Sequence, residues 1–121
     1  MEMFVKFDFA ASRSLPLLPE THPCSRLHGH TFNVCLTLSG EREVATGFMI
    51  DFGDVEIAIE AVKKKVDHFH LNEIEGLENP TTEIIAEWLW KKFISILPQL
   101  TRITVQEHRD RGVTYSGSTA R

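Results

Sequence analysis

A chain of 121 residues with 42% hydrophobic and 25% charged content has the size and balance of one ordinary globular domain spanning residues 1–121, too short for a core plus an independent second unit. A net charge of −4, from 13 basic and 17 acidic residues, with no basic run longer than Lys63-Lys64-Lys65, excludes the clustered cationic footprint of a nucleic-acid binder. No stretch approaches the roughly 18 apolar residues of a membrane span and Met1-Glu2-Met3-Phe4 does not begin a leader pattern, so a cytoplasmic protein without membrane contact is expected, with Cys24 and Cys35 as free thiols.

From Met3 to Arg13 the odd positions Met3, Val5, Phe7, Phe9 and Ala11 are apolar, which predicts a half-buried strand, and one further step on that face reaches Arg13. Leu15 to Pro23 holds Pro16, Pro19 and Pro23 and predicts an irregular loop leading into Cys24. Thr31 to Ser39 alternates again, with Phe32, Val34, Leu36 and Leu38 on one face. After a polar connection from Gly40 to Gly47, Asp51 offers a helix start, and Val55, Ile59, Val62 and Val66 repeat at helical spacing to about Asp67.

A loop rich in His, Asn and Gly runs to Asn79-Pro80. Thr81 or Thr82 then caps a second helix whose predicted buried stripe is Ile84, Trp88, Leu89, Phe93 and Ile96, with Pro98 beyond its end. Ile103, Val105 and Glu107 share a face of a third strand, Arg109-Asp110-Arg111-Gly112 reads as a hairpin turn, and Val113 to Tyr115 begins the last strand before a loose tail from Ser116 to Arg121. The order ββααββ predicts an α+β fold: a four-stranded antiparallel sheet with two helices on one face, whose two edges invite assembly.

The densest chemistry lies in Cys24-Ser25-Arg26-Leu27-His28-Gly29-His30. A thiol near imidazoles and a cation can act as base or nucleophile, and Gly29 lets the backbone approach a ligand closely. His28 and His30 alternate onto one side of extended backbone and can share a metal ion, although zinc wants at least three protein ligands and the nearest further histidine is His22 in the proline-rich loop. The alternative is two exposed polar histidines. Asp67 reads as a helix-end residue and His68 as a cation near the negative helix terminus, since neighbours seldom hydrogen-bond side chain to side chain as a relay. Glu107, continuing an apolar row, is either edge-exposed or an acceptor for a ligand's paired N–H groups.

The joint order of Leu15-Pro16, Cys24-x-x-x-His28-Gly29-His30, Gly47 with Ile50-Asp51-Phe52, Asp67-His68 with Leu71-Asn72, Gly76-Leu77-Glu78-Asn79-Pro80-Thr81-Thr82-Glu83, and Glu107 resembles the 6-pyruvoyltetrahydropterin synthase family over nearly the whole chain. The three-residue gap between Cys24 and His28 resembles its bacterial 6-carboxytetrahydropterin synthase branch. The resemblance implies a tunnelling fold, a homohexamer of two stacked trimers with active sites between subunits, and a lyase that turns 7,8-dihydroneopterin triphosphate into 6-carboxy-5,6,7,8-tetrahydropterin, acetaldehyde and triphosphate on the route to queuosine. It further implies Cys24, Asp67 and His68 as catalytic residues, Glu107 as the anchor of the pterin's 2-amino and ring N–H groups, Thr81 and Thr82 near the pterin, and His28 and His30 as zinc ligands.

One departure bears on the zinc. Where the family carries a strand-end Ala-Ala-His-Arg or Ala-Ser-His-Arg that supplies a third zinc histidine, this chain has Ala11-Ser12-Arg13-Ser14, and a guanidinium does not ligate zinc. The expectation is therefore an enzyme with a weakened zinc site and reduced activity. The alternatives are a site completed by His22, a pyruvoyl-type or sepiapterin-cleaving activity, and a non-catalytic pterin-binding paralogue.

Overall fold

Alternating apolar residues build a sheet, and two amphipathic helices cover the apolar face it presents. The computed structural model describes residues 1–117. It runs β1 (Glu2–Arg13), β2 (His28–Ser39), α1 (Phe52–Lys63), α2 (Thr82–Ile94), β3 (Leu100–His108) and β4 (Arg111–Tyr115), with single 3-10 turns at Pro23–Ser25 and Leu71–Glu73. The four strands pair antiparallel, as the sequence predicts, and lie in the order β1-β2-β3-β4. Among the described residues no helix is long and apolar enough to cross a membrane.

The core lies between sheet and helices. Phe9, Phe32, Val34, Leu36, Leu38, Ile103 and Val105 meet Val55, Ala58, Ile59 and Val62 of α1 and Ile85, Ala86, Leu89 and Phe93 of α2. Each large side chain fully removed from water there contributes about 1.5–3 kcal/mol. The α2 stripe differs from expectation. Ile85, Leu89 and Phe93 face inward at steps of four, whereas Ile96 is 48% exposed because the helix ends at Ile94 and its period no longer applies.

Other boundaries move for local reasons. Strand β2 starts at His28, three residues before the expected Thr31, because the antiparallel ladder continues until Arg13 faces His28. The strand thus absorbs Gly29, which sits opposite Ser12 in extended backbone rather than in a loop. Helix α1 ends at Lys63, and the turns that follow carry Asp67. Strand β4 starts at Arg111 because the hairpin turn is shorter than expected. Residues 118–121 of the expected loose tail lie outside the described residues.

The exposed edge of β1 is partly occupied. Ala10 N–H donates to Asp67 Oδ1 at 2.9 Å, the His68 N–H donates to Ala10 O at 2.6 Å, and the Ser12 N–H donates to Phe69 O at 3.1 Å. Asn72 closes the same seam, accepting from the Ser14 N–H at 2.9 Å and donating to Ser14 O at 2.8 Å. These bonds pin the 67–72 loop against the end of β1, where His68 and His70 line a cleft with His30.

Candidate functional site

Strand register brings the site together. Arg13 faces His28 and Ala11 faces His30, so the inward row of β1 and the even row of β2 deliver Arg13, His28 and His30 to one end of the sheet. Glu107 arrives from β3 at a break in register between Gln106 and His108, an irregularity that re-aims a side chain. Thr82, the first residue of α2, completes the cluster.

Arg13 is the hub, 3% exposed. Its Nε–H donates to His28 Nε2 at 3.4 Å, one terminal nitrogen donates to Pro80 O at 3.0 Å and to Thr82 Oγ1 at 3.3 Å, and the other contacts His30 Nε2 at 3.3 Å and pairs closely with Glu107 Oε2. The Thr82 hydroxyl in turn donates to Glu107 Oε2 at 2.7 Å. The guanidinium also lies 5.1 Å from the centre of the Phe32 ring, which stacks on Phe9 at 5.0 Å and meets His30 edge-on at 5.4 Å. A buried guanidinium is tolerable because its donors are matched and the paired carboxylate carries the opposite charge.

Two shifts follow from this packing. Burial alone would raise the Glu107 pKa, but the hydrogen bonds from Thr82 and Arg13 and the guanidinium's charge outweigh it and hold the carboxylate below its ordinary 4.5. Burial first, then the Arg13 charge, lowers His30 below 6.5 and keeps the imidazole neutral. Both folded values lie under their unfolded ones, so the unfolded chain binds more protons and acid destabilises the fold. Stability is expected to be flat above pH 6.5, to decline below it as His30 is forced to charge, and to fall further below pH 4.5 as Glu107 protonates. Denaturant midpoints from about pH 8 to pH 4 check this, and Glu107→Gln should make the lower limb shallower, leaving the part that carboxylates such as Asp67 contribute.

A cavity of about 310 Å³ opens beside the hub, and among its lining residues are Cys24, Thr81, Thr82, Glu107, Arg111 and Arg13. Four residues singled out from sequence, Cys24, Thr81, Thr82 and Glu107, therefore share one space. The two threonines divide their work: Thr81 Oγ1 caps α2 by accepting from the Ile84 N–H at 3.1 Å, while Thr82 turns inward to Glu107. Cys24 is half-buried in its 3-10 turn, whose first N–H, that of Cys24, donates to His22 Nδ1 at 3.1 Å. His22 is thus an exposed cap and does not complete a ligand set with His28 and His30.

Asp67 and His68 lie elsewhere in the same chain. A separate cleft of about 540 Å³ is lined by His30, His68, His70, Ser12 and Gly29, and it does not include Cys24. Contrary to expectation the neighbours do pair, His68 Nδ1 to Asp67 Oδ2 at 3.0 Å. The cause is backbone: His68 adopts φ 65°, which swings its ring back over the preceding carboxylate. Asp67 is held below its ordinary 3.8 by the Ala10 N–H and, against some desolvation, by His68. The pair is therefore an oriented imidazole–carboxylate dyad at a strained, exposed turn rather than a helix end.

The zinc ion that the resemblance implies does not fit these residues as they stand. Both imidazole Nε2 atoms that would ligate it are turned to Arg13, and no group of three His, Cys, Asp or Glu side chains suited to a metal occurs among the described residues. Sequence reasoning did not foresee Arg13 as the hub or the contact of Ser12 Oγ with His70 Nδ1 at 3.0 Å. For Arg13 a signal was present: it continues the row Met3 to Ala11, and a charge on that face arrives buried.

The family model described as 6-pyruvoyl tetrahydropterin synthase matches residues 2–118. A 6-carboxy-5,6,7,8-tetrahydropterin synthase of Synechocystis is 35% identical over 95 residues, covering 74% of this chain and 72% of the relative. A dihydroneopterin monophosphate aldolase of Pyrococcus furiosus is 37% identical over 90 residues, covering 72% and 75%. In three dimensions the chain is similar to the 6-pyruvoyl tetrahydropterin synthase of Caenorhabditis elegans, with TM-score 0.90, 24% identity, and 98% and 96% of the two chains covered.

Proposed function

The chain belongs to the 6-pyruvoyl tetrahydropterin synthase family, and from that premise we propose that it is a lyase acting on the side chain of a reduced pterin. The reaction is that of the 6-carboxytetrahydropterin synthases: 7,8-dihydroneopterin triphosphate and water yield 6-carboxy-5,6,7,8-tetrahydropterin, acetaldehyde and triphosphate, as a step towards queuosine. The observation that carries the reading is the cavity holding Cys24, Thr81, Thr82 and Glu107 together. A carboxylate facing a pocket is a two-point acceptor for the pterin's 2-amino and ring N–H groups, and a half-buried thiol lining the same cavity can move a proton on the side chain.

Within one chain His68, which Asp67 holds, lines a different cleft from Cys24. The proposal therefore includes assembly: a cytoplasmic homohexamer in which a neighbouring copy brings its Asp67–His68 dyad to the Cys24 cavity. The β4 edge, and the β1 edge before its seam with the 67–72 loop, support it, because sheet edges pair readily.

A second reading, a pterin-binding protein without turnover, is favoured by one observation: Arg13 already occupies one oxygen of Glu107. Incubation with 7,8-dihydroneopterin triphosphate or monophosphate, followed by product analysis, separates the possibilities. Acetaldehyde with the 6-carboxy product supports the lead reading. A pyruvoyl product, or cleavage of the monophosphate alone, assigns a sibling reaction, and retained pterin without turnover supports the binding protein.

A further inference from the structure

We propose that His28 and His30 are the acceptor pair of a metal-free cluster whose resident cation is the Arg13 guanidinium, so that this site excludes a divalent ion. The donor count carries the proposal. A guanidinium has five N–H groups, and here they meet five acceptors: His28 Nε2, His30 Nε2, Pro80 O, Thr82 Oγ1 and Glu107 Oε2.

The histidines are committed to this arrangement. His28 Nδ1 lies 2.7 Å from Arg26 O, so it is the donor there and its Nε2 lone pair is the acceptor aimed at Arg13. The ring of His30 packs perpendicular to that of His28 at 4.9 Å and edge-on to Phe32, which fixes its Nε2 on the guanidinium as well. An ion between the two rings would have to take both lone pairs from Arg13 and sit beside a buried positive charge. Glu107, the nearest anion, is held by Arg13 and Thr82.

Among the described residues no third His, Cys, Asp or Glu side chain joins His28 and His30 in a set that could hold a metal. His22 caps a turn, His68 pairs with Asp67, His70 contacts Ser12, and His108 contacts Asp110 at 2.8 Å. Arg13 is accordingly a positioning residue: it orients the two imidazoles, fills the space between them with fixed charge, and holds Glu107 ionised at the cavity wall. Chelators should leave the purified protein's stability and any ligand binding at Glu107 unchanged.

The test is titration of the full chain with cobalt(II), read by its visible d–d absorption, together with zinc content after purification without chelators. Wild type is expected to show no cobalt band and substoichiometric zinc. Arg13→His is expected to bind one equivalent at least about 100-fold more tightly, with the band lost when His30→Ala is added, because a third imidazole completes a three-ligand set. If Arg13→His does not fold, Arg13→Gln removes the charge and frees both imidazoles beside Glu107, and a cobalt band is expected there too. One equivalent of cobalt or zinc on wild type, lost in His30→Ala, would overturn the proposal. So would a folded Arg13 variant that gains no affinity. Neither readout involves a pterin, so the result is independent of the proposed reaction.

Discussion

Glu107→Leu is expected to lower the stability of the protein by about 3 kcal/mol, a drop of roughly 10–15 °C in melting temperature for a domain of this size. The substitution removes the anionic partner of a guanidinium that is 3% exposed, leaving a buried charge balanced by neutral acceptors alone. It also strands the Thr82 hydroxyl, which donates to the same oxygen. The Glu107 side chain is 28% exposed, so water relieves part of the penalty and the effect falls at the lower end of the range for broken buried pairs. Urea unfolding measures it, and the double variant Arg13→Met with Glu107→Leu should recover at least half of the loss, since no charge then remains to be stranded. A double variant no more stable than Glu107→Leu would show that the pair is not the cause.

Cys24→Ala is expected to leave the fold intact and to reduce turnover of 7,8-dihydroneopterin triphosphate by about 100- to 10,000-fold, the span attributed to a positioned proton-transfer group. The hydrogen bonds that organise this turn are made by backbone: the Cys24 N–H to His22 Nδ1, and the Leu15 N–H to Cys24 O at 2.9 Å. Removing the thiol therefore costs little structure. Asp67→Ala should be comparably inactive, and mixing the two variants by reversible unfolding should restore about a quarter of the wild-type rate, because sites between copies can then draw Cys24 from one chain and Asp67 from another. Mixed samples as inactive as their parents would place all catalytic groups in a single chain and sink the shared-site proposal.

The alternations Met3 to Arg13 and Thr31 to Ser39 and the helical spacings Val55 to Val66 and Leu89 to Phe93 carried the sheet, the helices and most of the core, because period and burial are local properties of a chain. Cys24, Thr81, Thr82 and Glu107 were likewise legible as candidates, and one cavity gathers them. What sequence could not decide was distance across elements. Arg13 was visibly the odd member of an apolar row, but only strand register sets it against His28 and only the irregularity in β3 turns Glu107 onto it. The Asp67–His68 contact depended on a backbone angle of φ 65° that no spacing rule foretells. Type, period and order were written locally in this chain. That Arg13 meets both imidazoles was decided by tertiary packing, because strand register sets where the fold buries that charge.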